Sequence, residues 1–201
     1  MRVILASGSA RRSELLAGLG LPFEVIPTGV DETSDERDPA ALACLLALRK
    51  ARAGAAAAPD AAVIAADTLV TLDGRFFGKP ADATEARTTL QTLRGRTHQV
   101  VTGVAVAAPT GEAVEAVTTH VTMRAYTDAE IDAYIATGDP LDKSGAYAIQ
   151  HPTFAPAAAI EGCLCSVIGL PLWTTRALLA TAAHIDASPP AFDRCTSCPL
   201  R

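Results

Sequence analysis

Aromatic side chains are scarce in this chain, at 4% of 201 residues, which argues against a stacking platform for single-stranded nucleic acid. Positive charge is also thin. The formal net charge is −5, and no basic run is long enough to track a phosphate backbone. A phosphorylated ligand would therefore meet a few focused cations, and a nucleic acid polymer is not an expected partner. No apolar stretch reaches membrane-spanning length, and the opening run Met1–Ala6 is too short for a signal-peptide core. Cytoplasmic residence, with no membrane partner, is the expectation. His98, His120, His151 and His184 show no HxH or HExxH spacing, so none suggests zinc. A GxSxG nucleophile elbow and a Walker A loop are missing too, because Gly78-Lys79 runs into Pro80.

Cysteines number five, an odd count, and two of them form Cys195-Thr196-Ser197-Cys198 near the C-terminus. A single CxxC without a second pair at metal-site spacing reads as a flexible tail with free thiols. Cys163 and Cys165, at i and i+2, could in principle join it in space, but are expected not to.

What the chain does contain is a globular composition, 49% hydrophobic and 19% charged, much of it alanine. Its length suits one α/β domain or a core with a smaller lobe. Residues 1–186 read as that domain, and 187–201, with Pro189-Pro190, as a loose C-terminal tail. Strands are expected at 2–6 and 22–27. Helices are expected at 11–19 and from Asp38-Pro39, an N-cap with an N1 proline, to about Ala57. The run Ala61–Val70 is a strand ended by the Asp73-Gly74 turn. Asp82 with Glu85 starts a helix through Leu93. Segments 98–108 and 113–123 form a hairpin. Thr127 with Glu130 caps a helix ending at Gly138, and Pro171 opens the last helix, to about Ala183. Alternating strands and helices with one long hairpin mean an α/β fold on a mixed sheet.

Four groups of residues could carry chemistry. Ser7-Gly8-Ser9-Ala10-Arg11-Arg12 joins a strand to a helix, so backbone N–H groups at a positive helix end are ready for an anion. Two arginines in that first turn are unfavourable beside the dipole. They are explained if they grip phosphate, or else they are two solvated side chains. Asp67 interrupts an otherwise buried strand, which suits a Mg²⁺ ligand or a general base toward water, or a structural cap of the next turn. Lys79, fixed between Gly78 and Pro80, is a placed cation suited to phosphate. The acidic pair Asp31-Glu32 could bind metal or be a solvated loop. The fourth segment, Asp142-Lys143-Ser144-Gly145-Ala146-Tyr147-Ala148-Ile149-Gln150, brings charge, glycine and an amide able to read a base edge.

These pieces, with Arg49-Lys50-Ala51, Gly95–Val104 and Gly169-Leu170-Pro171-Leu172, together resemble the Maf family of nucleotide pyrophosphatases. The resemblance runs from Leu5 to about Leu172. It implies a mixed, strongly curved β-sheet flanked by helices around a deep central cleft, similar to the inosine-triphosphate pyrophosphatases. It also implies a divalent cation, Mg²⁺ or Mn²⁺, and hydrolysis of a nucleoside triphosphate to the monophosphate and pyrophosphate. Asp67 matches the catalytic acid of the family. Ser7, Ser9, Arg11, Arg12, Lys50, Thr68, Lys79, Asp142, Lys143 and Gln150 match substrate positions, and Glu32 with Asp67 the metal positions. Arg12, Thr68 and Gln150 side with the subgroup acting on dTTP and UTP, with CTP and modified pyrimidine nucleotides open. Relatives are often homodimers. The family's early link to septum formation leaves a non-catalytic nucleotide-binding regulator of division as the alternative. Ala10 stands where the family usually has proline, and His151–Pro156 replaces a more glycine-rich stretch.

Overall fold

The apolar stretch that begins at Ala61 extends further than its composition suggests, and it organises the sheet. A computed structural model describes residues 1–201. Its strands are β1 (Arg2–Leu5), β2 (Glu24–Val25), β3 (Ala61–Leu72), β4 (Arg75–Phe77), β5 (Thr97–Ala108), β6 (Gly111–Met123) and β7 (Ala157–Glu161). Its helices are α1 (Ala10–Ala17), α2 (Pro39–Ala57), α3 (Ala83–Leu93), α4 (Asp128–Ile135), α5 (Leu164–Ile168) and α6 (Leu172–Ala183). The strands share one mixed sheet in the order β2-β1-β3-β5-β6-β7, and β4 pairs with β3. No helix is long and apolar enough to cross a membrane.

The chain forms two compact units. The first comprises Met1–Thr68, Val101–Thr118 and Cys163–Arg201; the second comprises Leu69–Val100 and Thr119–Gly162.

In the first unit β1 lies parallel to both β2 and β3, with Leu5 opposite Ile64. The expected strand 22–27 shrinks to two residues, because Pro22 and Pro27 lack the N–H groups that a ladder needs. Helix α2 begins as its sequence demands: Asp38 accepts a hydrogen bond from the Ala41 N–H at 2.7 Å, and Pro39 follows. Its inner face is Ala47 and Ala51, packed on Ile4, Ala6, Val63, Ala65, Ala105 and Ala107. Such small side chains let helix and sheet approach closely. A Cβ added at Gly103 would lie 2.3 Å from the Ala43 carbonyl oxygen.

Residues 187–201 are held against this unit. The N–H groups of Ser188 and Ala191 donate to the carbonyls of Leu19 and Gly18, and the Trp173 indole donates to the Cys195 carbonyl at 3.0 Å. The Phe192 ring sits so close to Gly18 that an added Cβ would meet it at 2.3 Å. Folding back in this way brings the CxxC pair onto Cys163 and Cys165. The expectation that the two pairs stay apart is therefore corrected, by docking contacts that no local spacing encodes.

In the second unit the Asp73-Gly74 turn joins β3 to β4, with Val70 opposite Phe77. Asp82 caps α3 by accepting from the Glu85 N–H at 2.9 Å, while the Glu85 carboxylate reaches the Ala81 N–H. Thr127 and Glu130 form the reciprocal capping box of α4. That helix ends at Ile135, earlier than the Gly138 expected. Strand β7 pairs antiparallel with β6, His120 opposite Glu161. Its sequence, Ala-Ala-Ala-Ile-Glu, favours a helix, and tertiary pairing overrides that preference.

Candidate active site

Strand β1 ends at Leu5, and the chain then turns through Ser7-Gly8-Ser9 into α1 beside the continuing β3. Side chains at the carboxyl end of two parallel strands are where α/β sheets bind ligands. Ser9 takes the N-cap position without a side-chain capping bond, at the positive end of the helix dipole, where an anion is favoured. Ala10 begins the helix.

Arg12 is the hub of this corner. Its Nε donates to the Gly169 carbonyl at 2.9 Å, one terminal nitrogen donates to Ser7 Oγ at 3.2 Å, and the other donates to Thr68 Oγ1 at 3.2 Å. The Thr102 hydroxyl donates to the Ser166 carbonyl at 2.8 Å, so Thr68 must supply the hydrogen of the 2.9 Å Thr68–Thr102 bond. The chain therefore runs in one direction: Arg12, Thr68, Thr102, Ser166. Three of the five guanidinium N–H groups are engaged within the protein, and each terminal nitrogen keeps one more. Burial lowers the Arg12 pKa; the charge of Asp67 opposes this, that of Arg11 reinforces it and that of Glu32 opposes it. Gly169, at φ +129°, brings its carbonyl in at a distance that a Cβ would disturb, 3.3 Å from Arg12 Nε.

Asp67 is 8% exposed. Lys50, projecting from α2, donates to Asp67 Oδ1 at 2.6 Å and pairs with Glu32 Oε1 at 2.7 Å. Glu32 is delivered by its neighbours. Arg49 donates to the carbonyls of Asp31 and Thr33, and the Asp31 carboxylate accepts from the Thr33 N–H and hydroxyl. Those two bonds hold the Asp31 carboxyl below the usual carboxylate range. Ser7, Ser9, Arg11, Arg12, Glu32, Lys50, Asp67 and Thr68 thus all belong to the first unit. Thr102, Ser166 and the Gly169 carbonyl join them. No pattern singles out the first two, because a buried threonine in a strand and a serine carbonyl in a one-turn helix look structural.

The remaining expected residues belong to the second unit. Lys79 and Gln150 are exposed. The loop of Lys79 is tied to the fourth segment by the Gly145 N–H, which donates to the Gly78 carbonyl at 3.1 Å. Gly145 has φ +74°, and a Cβ there would press on Val70. Lys143 is 7% exposed and all three of its donors are engaged: with the Asp139 carbonyl at 2.6 Å, Asp139 Oδ1 at 2.8 Å and Asp142 Oδ1 at 2.5 Å. Burial would raise the Asp139 pKa, but the bonds from Lys143 and the Tyr134 hydroxyl overcome it and hold the carboxyl down. Lys143 is in this way the centre of a turn.

A family model described as Maf-like protein matches residues 2–182. A dTTP/UTP pyrophosphatase of Thermomicrobium roseum is 45% identical over 100% of this chain and 94% of its own length. The proteins of that name from Deinococcus radiodurans and Moorella thermoacetica are 50% and 51% identical, over 90% and 89% of this chain and 93% and 94% of theirs. The solved structure of the Staphylococcus aureus Ham1 protein aligns with 62% of this chain and 73% of that one, at a TM-score of 0.47 and 17% identity, too remote a likeness to bear on the fold. With the family match running almost from end to end, and relatives about half identical along nearly their whole length, the chain belongs to the Maf-like family.

Proposed function

We propose that this chain hydrolyses nucleoside triphosphates, dTTP and UTP foremost, to the monophosphate and pyrophosphate. Relatives of that name, matched over nine-tenths or more of their length, support the reading. The observation that carries it is the Lys50 ammonium held at 2.6 and 2.7 Å between Asp67 and Glu32, next to Arg12 with its partly engaged fork.

A divalent cation fits here. The Asp67 and Glu32 carboxylates already converge on one cationic atom, and two such groups with phosphate oxygens and water make an ordinary Mg²⁺ or Mn²⁺ environment. Glu32 and Asp67 would hold the ion, which when bound supplies neutralisation of phosphate charge. Asp67 orients a water and takes its proton as the water oxygen bonds to the α-phosphorus. The bond from that phosphorus to the bridging oxygen breaks, and pyrophosphate leaves. Arg11, Lys50 and the two remaining Arg12 hydrogens stabilise the charge gathered on the phosphates, helped by the positive N-terminal end of α1. Thr68 holds the Arg12 fork in its plane. Lys79, Asp142, Lys143 and Gln150 are assigned to substrate on the resemblance alone, as is the deep cleft.

The test is pyrophosphate release from dTTP, UTP, CTP, ATP and GTP with Mg²⁺ or Mn²⁺, beside Asp67→Asn. Release from dTTP and UTP should fall by about 10²–10⁴-fold in the variant, with the fold intact by circular dichroism. Nucleotide bound without release, or full turnover by Asp67→Asn, overturns the proposal.

A further inference from the structure

Four of the five cysteines converge in the first unit, apart from the residues given a part in hydrolysis. Cys163 is the N-cap of α5 and Cys165 lies in its first turn; Cys195 closes the one-turn 3₁₀ helix Asp193–Cys195, and Cys198 follows. The Cys165 and Cys195 sulfurs are 3.4 Å apart. Cys163 shares thiol contacts with both Cys165 and Cys198. Exposure is 2% for Cys163, Cys165 and Cys195 and 9% for Cys198, and none of the four is in a disulfide. Cys44, on α2, is partly exposed and takes no part.

The placement needs a reason, because the tail has little else to bury. Beyond α6 the buried apolar residues are Ala187, Cys195 and Cys198. A short segment of this kind is fixed by a staple rather than by a core. Two close pairs, C-x-C and C-x₂-C, from stretches some thirty residues apart in sequence are the way structural zinc sites gather four ligands. An all-sulfur set is soft, and it selects zinc over magnesium or calcium. A tetrahedron with Zn–S bonds of about 2.3 Å spaces its sulfurs at roughly 3.8 Å, near the separation of the Cys165–Cys195 pair. The thiols stand as an open chain, Cys198–Cys163–Cys165–Cys195, and no three ring a common point. Closing the set needs Cys195 and Cys198 to rotate toward each other across a turn already tied by the Cys198 N–H and the Cys195 carbonyl.

We propose that Cys163, Cys165, Cys195 and Cys198 bind a structural zinc ion that fastens the C-terminal segment to α5. The four thiols lose their protons to solvent and give Zn²⁺ four sulfur lone pairs; no electron is transferred, so no oxidant is needed. The positive charge of Arg194 acts on Cys195 and offsets part of the negative charge of the tetrathiolate. The ion also steadies the corner that holds Arg12, because the Cys165 carbonyl accepts the Gly169 and Leu170 N–H groups and the Gly169 carbonyl anchors Arg12 Nε.

The full chain, purified under reducing conditions and freed of loose metal by brief chelation, should retain about one zinc per chain by elemental analysis. Cys165→Ser and Cys198→Ser should each lose it, and Cys44→Ser should keep it. Titration of the metal-free wild type with Co²⁺ should give the intense visible spectrum of a tetrahedral tetrathiolate, which needs no variant to fold. Zinc should displace the Co²⁺ and protect four thiols from alkylation. Overturning results are a wild type that takes up neither ion, an octahedral Co²⁺ spectrum, zinc retained after both serine substitutions, or a mass showing disulfides between these cysteines under the same reducing conditions. None of these readouts depends on hydrolysis of nucleotide.

Discussion

Acidification should unfold this protein partly through His98. The ring is 2% exposed, its Nε2 lies 2.8 Å from the Tyr147 hydroxyl, and its Nδ1 has no hydrogen-bond partner. The neutral ring fits best with its hydrogen on Nε2, donated to Tyr147, since a buried acceptor without a partner costs less than a buried N–H without one. Protonation would put a second N–H on Nδ1, facing no acceptor. Burial accordingly lowers the His98 pKa from 6.5 to about 4. Near pH 6.5 the unfolded chain begins to bind a proton that the folded chain refuses until about pH 4. The contribution to stability is therefore complete above the first value and is lost as pH falls toward the second. At about 1.4 kcal/mol for each pH unit of that gap, the loss reaches about 3 kcal/mol, a large part of the roughly 5–15 kcal/mol typical of a domain. Urea denaturation at steps from neutral pH to about pH 4 would measure it, with His98→Gln, which cannot take up a proton there, as reference. The wild type should lose about 3 kcal/mol more than the variant over this range. Equal pH slopes, or a His98 ring resonance titrating at its ordinary value, would refute the reasoning.

Arg12→Lys should lower stability by about 2–3 kcal/mol, because an ammonium cannot span Ser7, Thr68 and Gly169 together and leaves at least one buried acceptor without its charged donor; an unchanged urea midpoint would contradict this. Gly103→Ala should cost about 3 kcal/mol, at the upper end for overpacking, since its methyl meets backbone rather than a movable side chain. Differential scanning calorimetry would show a lower transition temperature, and a gain in stability would mean that α2 and the sheet lie further apart than described.

Sequence and structure divide the account along a physical line. Local chemistry wrote itself into the chain wherever a residue acts on its immediate neighbours. Asp38-Pro39, Asp82 with Glu85 and Thr127 with Glu130 mark helix starts because capping is a matter of three or four residues. Asp67 was legible because a carboxylate in a run of buried alanine and isoleucine is costly anywhere. The tertiary structure decided what depends on distant partners. It turned the helix-prone Ala157–Glu161 into a strand by pairing it with β6, and it cut the 22–27 strand to two residues between prolines. It gave Lys50 to both Glu32 and Asp67, and it committed three of the Arg12 hydrogens to Ser7, Thr68 and Gly169. It also folded the tail so that Cys195 and Cys198 reach Cys163 and Cys165. Those last contacts join residues far apart in the chain, where periodicity and spacing carry no information and only packing decides.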